Sequence, residues 1–201
     1  MKRITSSVKE LFLKLTNFQL SLAFRIQSHL TTQEKIYLSN LAKNKSIILE
    51  IGSYLGASAC CFGNALKKSN CGVIYCVDTW NNNAMTEGLR DTFSEFTKNI
   101  APYANLIIPM RGFSTEMVEE VATQTNHLDV LFIDGDHSYE GVKADWEAYK
   151  HFLMPGSIVI FHDWGWAEGV QRVIEENVKP VVGNFGCLPN MWWGTIKYAL
   201  C

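Results

Sequence analysis

Short apolar runs recur along the chain from residue 46 onward, and each run leads to an acid or a glycine. Continuous apolar runs of this kind are typical of strands that are buried on both faces of a parallel sheet. The segments between the runs are long enough to form helices that cover both faces of such a sheet. The predicted strands occupy residues 46–51, 73–77, 105–110, 128–133 and 157–161. The pattern therefore predicts an α/β protein with a doubly wound, mostly parallel sheet.

The segments between these strands are predicted to be helices. They occupy residues 53–66, 86–100, 115–123, 139–152 and 167–177. The fifth strand follows Leu153-Met154-Pro155-Gly156, a pattern that stops a helix. Beyond the last helix, residues 178–185 and 191–200 are expected to supply a closing pair of strands. The sheet is therefore expected to end in an antiparallel closing strand.

The first 44 residues contain an apolar stretch at 11–24 that polar residues interrupt. A helix that spans a membrane needs about 20 mostly apolar residues, so no stable membrane insertion is expected. Attachment to a membrane surface is an alternative, but the cations of this stretch do not form a basic face. We expect residues 1–44 to form a helical cover of the domain or an oligomerisation segment that makes a homo-oligomer.

The composition narrows the partners and the compartment. The 201 residues carry 18 Lys and Arg against 20 Asp and Glu, so the net charge is −2, and the pI is about 6.2. A nucleic-acid-binding domain typically has a pI above about 9, so no nucleic-acid partner is expected. The six cysteines include no C-x-x-C pair, which disfavours a zinc or redox framework. We therefore expect reduced thiols in a cytoplasmic protein.

Polar residues follow the predicted strands at the point where each strand ends. Because the carboxyl ends of parallel strands meet at one edge, where ligands bind in open α/β sheets, we expect these residues to lie close together. They are Glu50, Asp78, Asp134, Asp136, His162 and Asp163. The alternative is that these residues are polar only because they lie in loops, but Glu50 lies inside an apolar run, where an ionised group is costly unless something pairs with it.

The first strand-to-helix turn, at residues 50–58, contains two glycines. Gly52 lets the backbone turn sharply, and Gly56 permits a close approach of the helix to a strand or ligand. A loop that binds a dinucleotide pyrophosphate, G-x-G-x-x-G, would have a glycine where this chain has Tyr54. The turn therefore disfavours an NAD-dependent oxidoreductase, which is kept as an alternative. Asp78, at the end of the next strand, is an acid that can accept both hydroxyls of a ribose.

Together these motifs resemble the class I S-adenosylmethionine-dependent methyltransferases. More narrowly, they resemble the small O-methyltransferase branch that includes sugar and antibiotic methyltransferases and relatives of cephalosporin-biosynthesis proteins. The resemblance runs from about Lys45 to Trp166. The motifs that carry it are LEIGSYLG at 49–56, VDTW at 77–80, FIDGDHSYEGV at 132–142, LMPGS at 153–157 and FHD at 161–163.

The resemblance implies a Rossmann-like methyltransferase domain at residues 45–201, with S-adenosylmethionine as its cofactor. It implies methyl transfer to a hydroxyl of a small molecule, a sugar or a secondary metabolite. The residues implied to bind the cofactor are Glu50, Gly52, Ser53, Gly56, Ser58, Asp78, Trp80, Ser114 and Asp134. Within this set, Asp78 would hold the ribose hydroxyls, Ser114 would line the adenine and Trp80 would close over the adenosine.

Metal-dependent members of this branch carry an acid at the end of the fourth strand and an acidic pair at the end of the fifth. The matching residues here are Asp134, His162 and Asp163, so the resemblance implies a divalent ion, Mg²⁺ or Mn²⁺, if a metal is used. His162 departs from an all-carboxylate set and leaves metal dependence open. A metal would lower the pKa of the acceptor hydroxyl and orient it.

Asp136 and His137 are the candidate catalytic bases. A histidine suits proton abstraction at neutral pH because it titrates in this range. The alternatives are that His137 binds the carboxylate of the cofactor and that Asp136 starts the next helix. Asp145 and Trp146, farther along that helix, are expected to be structural. A catalytically silent protein that keeps the cofactor pocket is a further alternative, which the acids at the strand ends disfavour.

Overall fold

The apolar runs form one seven-stranded sheet in the structure, a computed structural model that describes residues 6–69, 72–81 and 88–200. The strands are β1 (Ile47–Ile51), β2 (Val73–Asp78), β3 (Ile107–Arg111), β4 (Leu128–Ile133), β5 (Leu153–His162), β6 (Val182–Leu188) and β7 (Met191–Ile196). Their order across the sheet is β3-β2-β1-β4-β5-β7-β6.

The pairing of the strands confirms the predicted sheet. Strands β1 to β5 pair with one another in parallel, whereas β7 runs antiparallel to both β5 and β6. The chain moves outward from β1 to β3 and then returns to β4 on the other side of β1. The strand order therefore reverses between β1 and β4, where an open α/β sheet leaves a crevice for a ligand.

Helices cover both faces of the sheet, as the sequence predicts. They are α1 (Ser6–Thr16), α2 (Ser21–Arg25), α3 (Thr32–Leu41), α4 (Ala57–Ser69), α5 (Phe93–Ile100), α6 (Val118–Gln124), α7 (Tyr139–Tyr149) and α8 (Glu168–Val173). Residues of α2 to α5 join one hydrophobic core, and residues of α6 to α8 join the other. The two cores bury opposite faces of the strands, which explains their uninterrupted apolar runs.

Two predicted boundaries differ from the structure. Helix α4 begins at Ala57 rather than at residue 53, because Gly52, Tyr54 and Gly56 have φ of 83°, 44° and 86° and are not helical. The predicted helix at 86–100 begins at Phe93, and its first two residues lie outside the described residues. The other boundaries of the central elements agree to within a few residues.

The carboxyl-terminal third differs more. Residues 153–156, predicted as a helix stop, already belong to β5, whose register against β4 shifts between Leu128 and Val130. The Ser157 hydroxyl bridges this shift, since it donates to the Leu128 carbonyl at 2.6 Å and accepts from the Met154 amide. Residues 178–181 are helical, so the predicted strand at 178–185 begins only at Val182.

The amino-terminal helices lie on the α4 side of the sheet. Leu20, Ala23 and Leu38 are buried there, and the Lys35 ammonium donates to the carbonyls of Ala23 and Ile26. Helix α1 by contrast leaves apolar side chains exposed, namely Val8, Leu11, Phe12 and Leu15. Among the described residues, no helix has the length and the apolar character that crossing a membrane requires.

Candidate active site

A cavity of about 450 Å³ opens at the carboxyl ends of β1, β2 and β4, where the strand order reverses. Its wall is built from the turns after β1 to β5 together with residues 28–30, which precede α3. The predicted site residues on this wall are Gly52, Ser53, Ser58, Asp78, Ser114, Asp134, Asp136, His137 and Asp163. The remaining predicted site residues do not line the cavity and are buried, namely Glu50, Gly56, Trp80 and His162.

Asp78 holds the turn that follows β1. Its Oδ2 accepts from the backbone amides of Ser53 and Tyr54, both at 2.8 Å, and its Oδ1 accepts from the Trp80 amide at 2.6 Å. A carboxylate has about four acceptor sites, so three backbone bonds leave capacity for a ligand hydroxyl. Asp78 therefore shapes the crevice and stays able to bind at it.

Gly52 allows the turn to pass close to the end of β4. A Cβ atom at position 52 would lie 2.1 Å from the Asp134 carbonyl oxygen, and φ at this residue is 83°. A larger residue would therefore clash with backbone and be strained at the same time. The glycine identified in the sequence is required by both features.

Glu50 supports the turn from beneath. Its side chain is fully buried; Oε2 accepts from the Ser53 hydroxyl at 2.8 Å and from the Cys76 thiol at 3.2 Å. Its Oε1 has no hydrogen-bond partner among the described residues. Burial raises the pKa of Glu50 to about 7. Glu50 therefore orients Ser53, which is on the wall, and does not reach the cavity itself.

Trp80 does not close over the cavity, contrary to the sequence-based expectation. Its indole is fully buried between Phe93 and Phe96, with ring centroids 4.9 and 4.7 Å away, and its Nε1 donates to the Tyr54 carbonyl at 3.1 Å. The φ of 51° at Trp80 turns the chain here. Trp80 therefore braces the turn from the α5 side.

Three strand-end residues come together as predicted. His162 Nδ1 lies 3.0 Å from Asp134 Oδ1 and 3.3 Å from Asp163 Oδ1, and the imidazole is almost completely buried. Although burial disfavours the imidazolium, the nearby carboxylates, Asp134 first, raise the pKa of His162 to about 12. Burial raises the pKa of Asp134.

The same three residues have a geometry that suits a metal ion. One ligand atom from each lies within 4.8 Å of the other two. The 3.0 and 3.3 Å separations from His162 Nδ1 are also hydrogen-bond distances, so an ion would take the place of the proton on this nitrogen. The imidazole favours Mn²⁺ over Mg²⁺, which prefers oxygen ligands.

His137 and Asp163 form a second pair on the cavity wall. His137 Nε2 lies 2.7 Å from Asp163 Oδ2, and this hydrogen bond raises the pKa of the half-buried imidazole. Asp163 also accepts from Asn190 and from the Trp166 indole. Burial acts to raise the pKa of Asp163, but the hydrogen bonds from His137 and His162 hold this pKa well below its usual range.

Asp136, the other candidate base, has a structural contact. Its Oδ1 accepts from the Ser138 amide at 2.7 Å, and the Ser138 hydroxyl in turn accepts from the Gly141 amide at the start of α7. Ser138 is therefore the helix cap, and Asp136 fixes the loop that leads to it. Of the two candidate bases, His137 is therefore the better placed, because the Asp163 carboxylate orients its ring.

Sequence reasoning missed three residues near the site. Asp145, expected to be structural, lies on the cavity wall beside Ser114. Glu34 and Asn190 approach His162 Nε2 at 3.8 and 3.4 Å. Glu34 follows Thr31 in a capping box, so its sequence signal is that of a helix start. Asn190 lies in a turn without any motif.

A family model and two curated proteins match parts of this chain. A family model described as a methyltransferase domain matches residues 49–164. An uncharacterised protein of Sinorhizobium fredii is 30% identical over 119 residues, which are 58% of this chain and 13% of that protein. An uncharacterised protein of Acanthamoeba polyphaga mimivirus is 31% identical over 80 residues, 34% of this chain and 36% of that protein. The chain thus spans well under half of the length of these relatives.

Solved structures share the fold. Cofactor-bound Rv0187 from MTB has a TM-score of 0.72 at 15% identity, over 98% of this chain and 100% of that one. An O-methyltransferase from Bacillus cereus, in complex with SAH, has a TM-score of 0.71 at 16% identity, over 94% and 97%. TomG from Streptomyces achromogenes, an O-methyltransferase in complex with SAM, has 0.71 at 15%, over 94% and 96%.

The match at 49–164 covers more than half of the chain and includes the turn after β1, the end of β2, and the ends of β4 and β5. These are the segments whose motifs carry the resemblance and whose side chains surround the cavity. The family predicted from the motifs is therefore confirmed, and this chain belongs to the methyltransferase-domain family.

Proposed function

We propose that the protein is an S-adenosylmethionine-dependent O-methyltransferase that acts on a hydroxyl of a small molecule, a sugar or a secondary metabolite. One observation carries the proposal: the His137–Asp163 pair lies on the wall of the same cavity as Asp78. A ribose-binding acid and an oriented base on one cavity are what methyl transfer to a hydroxyl requires. A structural neighbour named as a TDP-rhamnose 3′-O-methyltransferase (TM-score 0.64, 17% identity) supports a sugar acceptor.

The turn after β1 and Asp78 would bind the cofactor. Asp78 keeps acceptor capacity for a ribose hydroxyl, and Gly52 lets the turn pass close to the Asp134 carbonyl. The cavity volume of about 450 Å³ lies within the range typical of small-ligand sites. When bound, S-adenosylmethionine supplies an electrophilic methyl group on a positively charged sulfur, which the acids of this rim would favour electrostatically.

His137 would remove the proton from the acceptor hydroxyl. Asp163 accepts a hydrogen bond from the Nε2–H group, so Nδ1 is the nitrogen that can take up a proton. The same carboxylate stabilises the imidazolium that forms, because an opposite charge at hydrogen-bond distance favours the charged ring. The raised pKa of His137 means that the ring becomes a base only as the pH rises above its ordinary value of 6.5.

Asp134, His162 and Asp163 would hold a divalent ion, Mn²⁺ in preference to Mg²⁺. Their spacing and donor types support this proposal. The ion would supply Lewis acidity that lowers the pKa of the acceptor hydroxyl. Asp163 belongs both to this ligand set and to the His137–Asp163 pair.

A methyl-transfer assay tests the proposal. Purified protein is incubated with S-adenosylmethionine and Mn²⁺ against separate pools of nucleotide sugars, glycosides and phenolic metabolites, and S-adenosylhomocysteine is quantified. We expect one hydroxylated pool to give product above the acceptor-free background, and a His137→Ala variant to lose that increase. Product formation on amine acceptors alone would contradict O-methylation.

We also propose that residues 1–44 serve as a helical cover and that α1 mediates a homo-oligomer. The exposure of Leu11, Phe12 and Leu15, at 59%, 64% and 65%, supports the second part. Light scattering after chromatography tests it, with Phe12→Ser/Leu15→Ser expected to be monomeric; a wild-type monomer would contradict it. A cytoplasmic location is supported by the free cysteines among the described residues, Cys60, Cys61, Cys76 and Cys187.

A further inference from the structure

A second buried carboxylate lines the cavity, away from the His137–Asp163 pair. Asp145 lies on α7, is 5% exposed, and belongs to the wall together with Ser114 and Ala144. Its neighbours on the buried face of α7 are apolar or aromatic, namely Val142, Trp146 and Tyr149. A carboxylate among such neighbours is costly unless donors satisfy it.

The contacts hold the Asp145 carboxylate in one orientation. The Ser114 hydroxyl donates to Oδ1, and the Ser114 carbonyl accepts from the Tyr149 hydroxyl at 2.6 Å. Oδ2 lies beside Gly135, where a Cβ atom would come within 3.3 Å of it. Among the described residues, no cationic side chain forms a salt bridge with Asp145. One hydroxyl therefore satisfies only part of an acceptor with about four sites.

The position of Asp145 relative to Asp78 indicates what it faces. Ser114 follows β3, which lies beyond β2 and its terminal Asp78, whereas His137 and Asp163 follow β4 and β5 on the other side of β1. A nucleoside whose ribose is held at Asp78 and whose sulfur faces the His137 side therefore extends its base toward Ser114. Adenine carries an exocyclic amino group, a hydrogen-bond donor, and an ionised carboxylate only accepts.

We infer that Asp145 recognises the adenine of the cofactor by accepting a hydrogen bond from its exocyclic amino group, with Ser114 holding the carboxylate in place. The inference rests on the proposed function and extends it from binding to base specificity. Asp145 then selects adenine over hypoxanthine. The 6-oxo group of hypoxanthine would face the carboxylate, and because both groups are hydrogen-bond acceptors they would repel each other. Burial raises the pKa of Asp145 to about 6, which leaves it ionised at neutral pH and ready to accept.

Two ligands that differ only at this group test the inference. The dissociation constants of S-adenosylhomocysteine and S-inosylhomocysteine are measured by calorimetry at neutral pH. For the wild type we expect the adenine ligand to bind about 10- to 100-fold more tightly, the range expected for one hydrogen bond to a charged group. In Asp145→Asn, whose amide can present either an acceptor or a donor, we expect the preference to fall to within about threefold.

A second variant and a control keep the result decisive. Asp145→Leu, which removes the acceptor altogether, should lose the preference through weaker binding of S-adenosylhomocysteine. Asp129→Asn is the control, because it is the same change at a carboxylate that accepts from the backbone amides of Ser46 and Ile47 at the opposite edge of the sheet; it should keep the wild-type ratio. Both ligands are measured on one preparation, so partial unfolding of a variant cancels in the ratio.

The outcomes separate the inference from the proposed function. A wild type that binds both ligands equally, or Asp145 variants that keep the wild-type preference, would overturn the inference and leave the methyltransferase proposal standing. A wild type that binds neither ligand would overturn the proposed function as well.

Discussion

Replacing Glu50 by Gln should change how the stability of the protein depends on pH. Glu50 is fully buried under the turn after β1, and burial raises its pKa from an ordinary 4.5 to about 7. The folded protein therefore keeps a proton that the unfolded chain loses over this interval. Stability from this group is fully present below pH 4.5 and is lost as the pH rises through about 7.

The size of the effect is set by the two pKa values. The difference is 7 − 4.5 = 2.5, and each pKa unit corresponds to about 1.4 kcal/mol, so the loss reaches at most about 3 kcal/mol. Gln has the shape of the protonated acid and does not ionise, so it lacks this loss. Hydrogen bonds from Ser53 and Cys76 to Oε2 can be kept by the amide oxygen.

Urea unfolding of wild type and Glu50→Gln at about pH 5 and about pH 8 provides the measurement. We expect the variant to gain about 2 to 3 kcal/mol relative to wild type between the two pH values. Asp129→Asn serves as the control for a carboxylate at the other edge of the sheet. A stability difference between Glu50→Gln and wild type that is equal at both pH values would refute the reasoning, since Glu50 would then be ionised in the folded state throughout.

Three further predictions concern the cavity. Asp78→Ala should weaken S-adenosylhomocysteine binding at least about tenfold in calorimetry, whereas Asp129→Ala, which loses a comparable pair of backbone contacts elsewhere, should bind as wild type does; equal losses would make the role of Asp78 purely structural. His137→Ala should lower kcat by about 10²- to 10⁴-fold with little change in cofactor affinity, and the wild-type rate should rise with pH above 6.5; a rate that is flat there would argue against a histidine base. Chelation should abolish the activity of the wild type and added Mn²⁺ should restore it, whereas Mn²⁺ should restore no activity in His162→Ala. Full activity of the wild type after exhaustive chelation would exclude a required metal at this site.

The sequence predicts the sheet and its ligand edge because both depend on local patterns. Apolar runs mark the buried strands, and the parallel arrangement then brings Asp78, Asp134 and Asp163 to one edge without any further information. Gly52 and Gly56 can also be predicted from the sequence, since the turn itself requires their positive φ values. A residue at a strand end or in a tight turn can therefore be located from the sequence alone.

Contacts between distant elements are not predictable in this way. Asp145 appears as one polar residue on a buried helix, and only its contact with Ser114, 31 positions earlier, brings it to the cavity. The sequence indicates that Glu34 belongs to a helix cap, whereas its approach to His162 depends on how α3 packs beside the sheet. The expectation for Trp80 is wrong because the backbone turns at this residue and directs the indole into the core with Phe93 and Phe96.

Calorimetric titration of the wild-type protein with S-adenosylhomocysteine and, separately, with NAD⁺ tests the central claim most directly. The crevice has Tyr54 in place of the glycine that a pyrophosphate needs and Asp78 in place to hold a ribose. We predict saturable binding of S-adenosylhomocysteine at one site per chain and no heat with NAD⁺. Binding of NAD⁺ without binding of S-adenosylhomocysteine would contradict the account.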